Sequence, residues 1–313
     1  MAEKPLLSDG VSGLIRFMPA VFVLIWSTGF VTAKYGLPYA PPLTFLSIRF
    51  ALSVICFALW IALARVTWPR GRQQWLHLAV SGVLIHAGYL GGVWVAIKGG
   101  MGSGLAALMV GLQPVLTAIW VSSMSSNLSS GGKVTEKVTQ RQWLGLVLGL
   151  GGLIVVVSRK FGTTLEVTAL TLVAITIGLL SITVGTLYQK RYVQPADVRG
   201  ANAVQIVAAF AVTLPLALFE TEAVKLTPQF LGALAWSVLV LTLGGSSLLY
   251  MLIQRGAATA VTSLLYLVPP CTALMAWLLF AEPITAVTVL GTAITALGVS
   301  LVVRGAKPQQ RDD

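Results

Sequence analysis

The chain has 313 residues, of which 56% are hydrophobic and only 10% charged, and its mean hydropathy is +0.86. A soluble domain carries about 25% charged residues, so an aqueous globular fold is excluded. The formal net charge of +11 does not mark a nucleic-acid-binding face, because Lys and Arg fall in short segments between apolar runs.

Those apolar runs lack the strict alternation of barrel strands, and each is long enough to cross a ~30 Å hydrocarbon core as a helix. Residues 1–16 are polar and mixed in charge and read as a cytoplasmic tail without a cleavable signal. The first four helices, in residues 17–124, are predicted at 17–35, 43–64, 74–97 and 102–124. A Ser/Gly-rich charged stretch at 125–140 reads as a cytoplasmic linker. A fifth helix follows at 141–158. The segment 159–303 holds predicted helices at 166–189, 199–219, 229–253, 257–280 and 285–303, and 304–313 is a second cytoplasmic tail. Breakers mark the boundaries: Gly36–Pro42, Trp68–Arg72, Lys98–Gly102 and Ala281–Pro283. Cys56 and Cys271 lie inside predicted helices as small apolar residues, with no metal or disulfide spacing.

The hydrophobic pattern occurs twice, 156 residues apart. "IKGGMGSGLAAL" (Ile97–Leu108) aligns with "IQRGAATAVTSL" (Ile253–Leu264). At the same offset Gly29 meets Gly185, Lys34 meets Lys190, Ser81 meets Ser237, Gly88 meets Gly244 and Pro114 meets Pro270. The offset drops to 146 after the linker, where "LGLVLGLGG" (Leu144–Gly152) matches "LGTAITALG" (Leu290–Gly298). With the N-terminus inside, fifteen Lys and Arg fall in cytoplasmic segments and five in outer ones, so both termini are expected in the cytoplasm. Five helices per unit is odd, so the second unit enters from the opposite side. The expected fold is an all-α polytopic membrane protein of ten transmembrane helices in a 5+5 inverted-topology repeat, which suits a carrier.

The ordered motifs resemble the EamA-type branch of the drug/metabolite transporter superfamily. They are "IWSTGFVTAKYG" (Ile25–Gly36) with its second-half counterpart "ITVGTLYQKRY" (Ile182–Tyr192), "PLTFLSIRF" (Pro42–Phe50) with Arg49, and "LYLVPPCTALMAWLLFAEPIT" (Leu265–Thr285) with Glu282. The resemblance covers about residues 17–303. One departure is that a glutamate which the family often keeps after the fourth helix is replaced here by "VSSMSSNLSS" (Val121–Ser130). The resemblance implies an inner-membrane carrier, typically an exporter of amino acids or other small metabolites. Its cavity would lie between the third, fourth, eighth and ninth helices, with contributions from the first and sixth.

Polar groups deep in apolar helices are costly and therefore mark candidate sites. His86 and Gln113 sit mid-helix and are read either as substrate contacts or as interhelical ties. Trp26, Tyr89, Ser246, Tyr250 and Tyr266 join them as candidate substrate-binding residues, with ordinary packing the alternative for the aromatics. Trp94 reads as interface belt. Pro114, Pro269 and Pro270 read as mid-helix kinks or gates that free the carbonyls of Val110, Leu265 and Tyr266. Arg49 is the strong charge within a helix. Snorkelling or a structural network is the preferred reading, and contact with a substrate anion the alternative. Lys34 and Lys190 read as interface anchors.

No Asp or Glu falls inside a predicted helix; Glu166, Glu220, Glu222 and Glu282 sit at helix ends. A midplane carboxylate relay is therefore not expected, and facilitated exchange is simpler than proton coupling, for which His86 would be the group. No catalytic role, cofactor or metal is expected. The partners are a small-molecule substrate and the bilayer, not nucleic acid, and the chain is a monomer or homodimer. The expected solute is an amphipathic metabolite, with hydrophobic or aromatic amino acids first. Drug or other metabolite export with protons is the alternative. A channel lacks a filter-like polar run here, and an intramembrane enzyme built on Ser103 and His86 lacks any supporting motif.

Overall fold

A computed structural model describes residues 9–64, 66–117, 119–120, 140–160, 166–254 and 267–305, and all regular structure among them is helical. In chain order the helices are α1 (Asp9–Gly36), α2 (Pro42–Leu63) and α3, which runs through Arg72–Gly82, Val83–Gly88 and Tyr89–Lys98. Then come α4 (Ser103–Val110), α5 (Gln140–Lys160), α6 (Ala169–Tyr192) and α7 (Val198–Ala217). The last are α8, through Pro228–Trp236, Ser237–Ser246 and Ser247–Gln254, then α9 (Val268–Phe280) and α10 (Ala286–Gly305). Five of them, α2, α3, α6, α7 and α8, are long and apolar enough to cross a membrane. Shorter apolar helices come from α1, α4, α5, α9 and α10. Leu59, Ile154, Leu170 and Leu278 stand exposed, as a lipid-facing surface requires. The protein is a polytopic α-helical membrane protein.

Among the described residues, prolines mark an interruption of the fourth predicted helix and the start of α9. After Val110 the chain turns at Gly111 and Leu112, and helix resumes at Gln113. Pro114 falls in the first turn of the resumed helix, and its missing N–H is what the carbonyl of Val110 would have needed. Pro269 and Pro270 lie in the first turn of α9, where a missing N–H costs nothing. They open α9 as far as it is described. Leu265 and Tyr266 lie outside the described residues.

Small residues let backbones meet. A Cβ on Gly82 would strike the backbone of Gln205 in α7, and one on Gly92 would strike Ala174 and Gly178 in α6. α5 and α10 pack the same way, Gly152 against Gly291 and Thr295, and Gly298 against Gly145 and Gly149. The glycine-rich faces of the fifth and tenth predicted helices therefore close on each other within the chain. The core is aromatic. Phe45 lies 4.5 Å from Trp94 and 5.3 Å, edge-on, from Phe230.

Two wide turns interrupt the long helices. α3 is π-helical over Val83–Gly88 and α8 over Ser237–Ser246. At an offset of 156 residues the first stretch falls inside the second. Such turns recur at functional sites because they redirect side chains and free backbone carbonyls.

Candidate functional site

The two π-helical stretches face one small cavity of about 40 Å³. Its walls are Trp26, Gly29 and Phe30 of α1, Arg49 of α2, residues of α3 that include His86, Tyr89 and Trp94, and Leu241 and Ser246 of α8. That volume holds water molecules, for which about 10–15 Å³ each suffices, but not an amino acid.

Arg49 is buried at 5% exposure. Its Nε donates to Thr242 Oγ1 at 3.0 Å. The Thr242 hydroxyl in turn donates to the carbonyl of Ser237, five residues back, at 2.9 Å. That spacing is the π repeat itself, so the wide turn of α8 is what presents Thr242 to the arginine. Among the described residues no carboxylate pairs with Arg49. His86 is buried too, with its ring edge-on to Phe50 at 6.4 Å and its side chain against Gln205 of α7. The rings of Trp26 and Tyr89 lie nearly parallel, 6.2 Å apart. At the 156-residue offset Arg49 corresponds to Gln205 and His86 to Thr242. The Gln205 amide donates to Ser81 Oγ at 2.9 Å and to Gln189 Oε1 at 3.1 Å.

Of the candidates named from sequence, Trp26, Arg49, His86, Tyr89 and Ser246 come together in this cavity. Gln113 does not: its Nε2 donates to Thr186 Oγ1 at 3.2 Å, between α4 and α6. Tyr250 is buried against Leu78, Ala201 and Val204, away from the cavity walls. Pro114, Pro269 and Pro270 are also absent from the walls. Trp94, expected in the interface belt, is buried at 1% exposure and forms part of the cavity wall. The walls come from α1, α3 and α8, which were expected to contribute, and from α2, which was not; among the described residues none comes from the expected fourth, sixth and ninth helices. α4 and α9 approach closely at Gly104–Ala273 and Gly111–Pro269. Thr242 and Gln205 were legible in the sequence only as the repeat mates of His86 and Arg49. Among the described residues no three of His, Cys, Asp and Glu converge to hold a metal ion.

A second polar cluster closes one end of the bundle, where the α1–α2, α3–α4, α7–α8 and α9–α10 connections meet. Lys34 of α1 pairs with Glu282 at 2.5 Å. The same carboxylate oxygen accepts from the backbone N–H and the hydroxyl of Ser103, both at 3.0 Å. Glu282 thus caps the N-terminus of α4 while neutralising Lys34. Burial pushes its carboxyl up, but the hydrogen bonds and charge of Lys34 and the donors of Ser103 outweigh that and hold it below the usual range. Lys98 pairs with Glu222 at 2.8 Å and donates to the carbonyl of Leu37 at 2.9 Å. Glu220 accepts from the amides of Leu43 and Thr44 at 3.0 and 2.7 Å, capping α2. Lys34, expected as an interface anchor, is therefore one arm of a latch joining α1, α4 and the end of α9.

The profile of the EamA-like transporter family matches residues 15–158 and 169–304. The chain is 28% identical over 298 residues to an uncharacterized inner membrane transporter, YedA, of Escherichia coli strain K12, covering 93% of this chain and 92% of that protein. It is 23% identical over 291 residues to an uncharacterized transporter of Archaeoglobus fulgidus, covering 91% and 97%. It is 24% identical over 304 residues to a probable amino-acid metabolite efflux pump of Salmonella typhimurium, covering 92% and 94%. A solved crystal structure superposes with a TM-score of 0.63 at 17% identity over 91% of this chain and 96% of its own, a likeness of fold. The apolar helices and the family profile, which spans nearly the whole chain, lead to one conclusion: this protein belongs to the EamA-like transporter family of membrane transporters.

Proposed function

We propose that the protein is a secondary carrier of the inner membrane that moves a small amphipathic metabolite by alternating access. Hydrophobic or aromatic amino acids are the first class to test. The observation that carries this reading is the small cavity with aromatic walls and a few polar groups, lined by α1, α2, α3 and α8. The Lys34–Glu282–Ser103 latch acts as the outer gate in this closed form, and the helices are arranged as a 5+5 inverted repeat with both termini cytoplasmic. Trp26, His86, Tyr89 and Ser246 contact the solute once the cavity widens. The name of the Salmonella relative, an amino-acid metabolite efflux pump, agrees with the substrate class at 24% identity.

Counterflow in proteoliposomes tests the reading. Vesicles loaded with unlabelled phenylalanine should accumulate labelled phenylalanine transiently. A panel of amino acids and lipophilic drugs then ranks the substrates. Uptake that internal solute never accelerates would mean a pore or an inert protein and would remove the carrier reading.

A further inference from the structure

We propose that the cavity recognises a monocarboxylate through Arg49 and makes no demand for an ammonium group. This deepens the carrier reading, and it is carried by the charge balance of the bundle interior.

Arg49 is a buried cation in the cavity wall whose hydrogen bonding to the protein is one bond from Nε to Thr242. A guanidinium has five N–H donors in a planar fork shaped for a carboxylate. Among the described residues no acid pairs with it. Glu166, Glu220, Glu222 and Glu282 lie at helix ends, and Asp197 caps α7 and pairs with Arg199. The remaining acids, Glu3, Asp9, Glu136, Asp312 and Asp313, lie in or next to the tails and the linker. A buried charge without a partner is unstable in a low-dielectric interior, so a bound anion gains more here than it would beside an already paired arginine. Thr242 holds the guanidinium in register for that anion through its bond to Nε.

The other walls settle the rest of the ligand. Trp26, Phe30, Tyr89 and Trp94 offer apolar and aromatic surface to a hydrophobic body. His86, Ser246 and the Tyr89 hydroxyl are neutral donors and acceptors, and none is an anion that would hold an ammonium against the repulsion of Arg49. One cation balances one carboxylate, so a dicarboxylate would bring an unpaired charge. Amino, hydroxy and unsubstituted acids with the same apolar body should therefore compete for one site, and the corresponding amines should not.

The test uses the full-length protein purified in detergent, with tryptophan fluorescence titration and thermal shift as readouts. The probes are 3-phenylpropionate, phenylalanine, 3-phenylpropionamide and phenethylamine. The two acids should bind within about tenfold of each other, and the amide and amine at least about tenfold more weakly, the loss expected for a charge-assisted hydrogen bond. Arg49→Gln should bring the acids down to the level of the amide in protein that still elutes as a monodisperse peak. Should that variant not fold, Thr242→Val serves in its place, with weakened acid binding the expected result. Phenethylamine binding as tightly as the acid, no binding of either acid to the wild type, or acid binding unchanged in Arg49→Gln would each overturn the proposal. Acid-selective binding without counterflow would remove the carrier reading and leave the assignment of Arg49 intact. Counterflow of the amine at the rate of the acid would do the reverse.

Discussion

His86 and Gln113 are equivalent on paper, two polar side chains near the centres of apolar helices, and the fold separates them. His86 lines the cavity; Gln113 bonds Thr186 across α4 and α6. His86→Ala should slow counterflow at least tenfold while leaving the protein folded and in the membrane. Gln113→Ala should keep its transport rate and lose stability by about 0.6 kcal/mol, the average worth of an interhelical hydrogen bond in a membrane bundle. A thermal melt beside the flux assay distinguishes the two, and equal transport defects would show that Gln113 belongs to the site after all. The depth of both residues was legible in the sequence, because polarity inside an apolar run is visible there. Their partners were not, because Thr186 and Gln205 lie more than seventy residues away and meet them only through the rotation of packed helices. Thr242 shows the same limit: one hydroxyl among Val, Leu and Gly gives no sign that it will hold an arginine.

At the scale of elements, the end of α9 acts on α1 and α4 through one carboxylate. Glu282 is held below the usual carboxylate range, so the latch contributes fully above the ordinary pKa and is lost as pH falls through the lowered value. The melting temperature of the purified protein should be level from neutral pH down to about pH 5 and should fall below about pH 4.5. Glu282→Gln should start from a lower melting temperature and lose that part of the pH dependence; an unchanged acid limb in the variant would show that Glu282 is not the group responsible. The α5–α10 pair gives a steric test. A side chain at Gly298 would strike the backbone of Gly145 and Gly149, whereas one at Gly151 meets nothing within 4 Å. Gly298→Leu should cost about 1–3 kcal/mol or more, read as lost monodisperse yield, and Gly151→Ala should be silent. The glycine pattern was visible in the sequence, and whether it closed on a second copy or on another helix of the same chain was not. The π-helical stretches of α3 and α8 had no sequence signature, since a widened turn is set by what packs around it.

At the scale of the molecule, the proposed 5+5 inverted repeat with cytoplasmic termini makes a prediction about orientation. In the inverted arrangement, alkaline phosphatase fused after Asp313 should be inactive and green fluorescent protein fused at the same place should fluoresce; the opposite result would reverse the proposed orientation. What the amino-acid sequence determined by itself was the solvent of the protein, its helical character and its family. Each follows from local rules: the bilayer demands long apolar runs whose backbone bonds are made internally, and motifs survive in linear order. Which polar side chains meet was decided only by the tertiary structure. Contacts such as Arg49 with Thr242 and Lys34 with Glu282 join residues about two hundred positions apart. They depend on how each helix is turned about its axis, which the close approach of small residues and the two widened turns set, and which no hydrophobic period specifies.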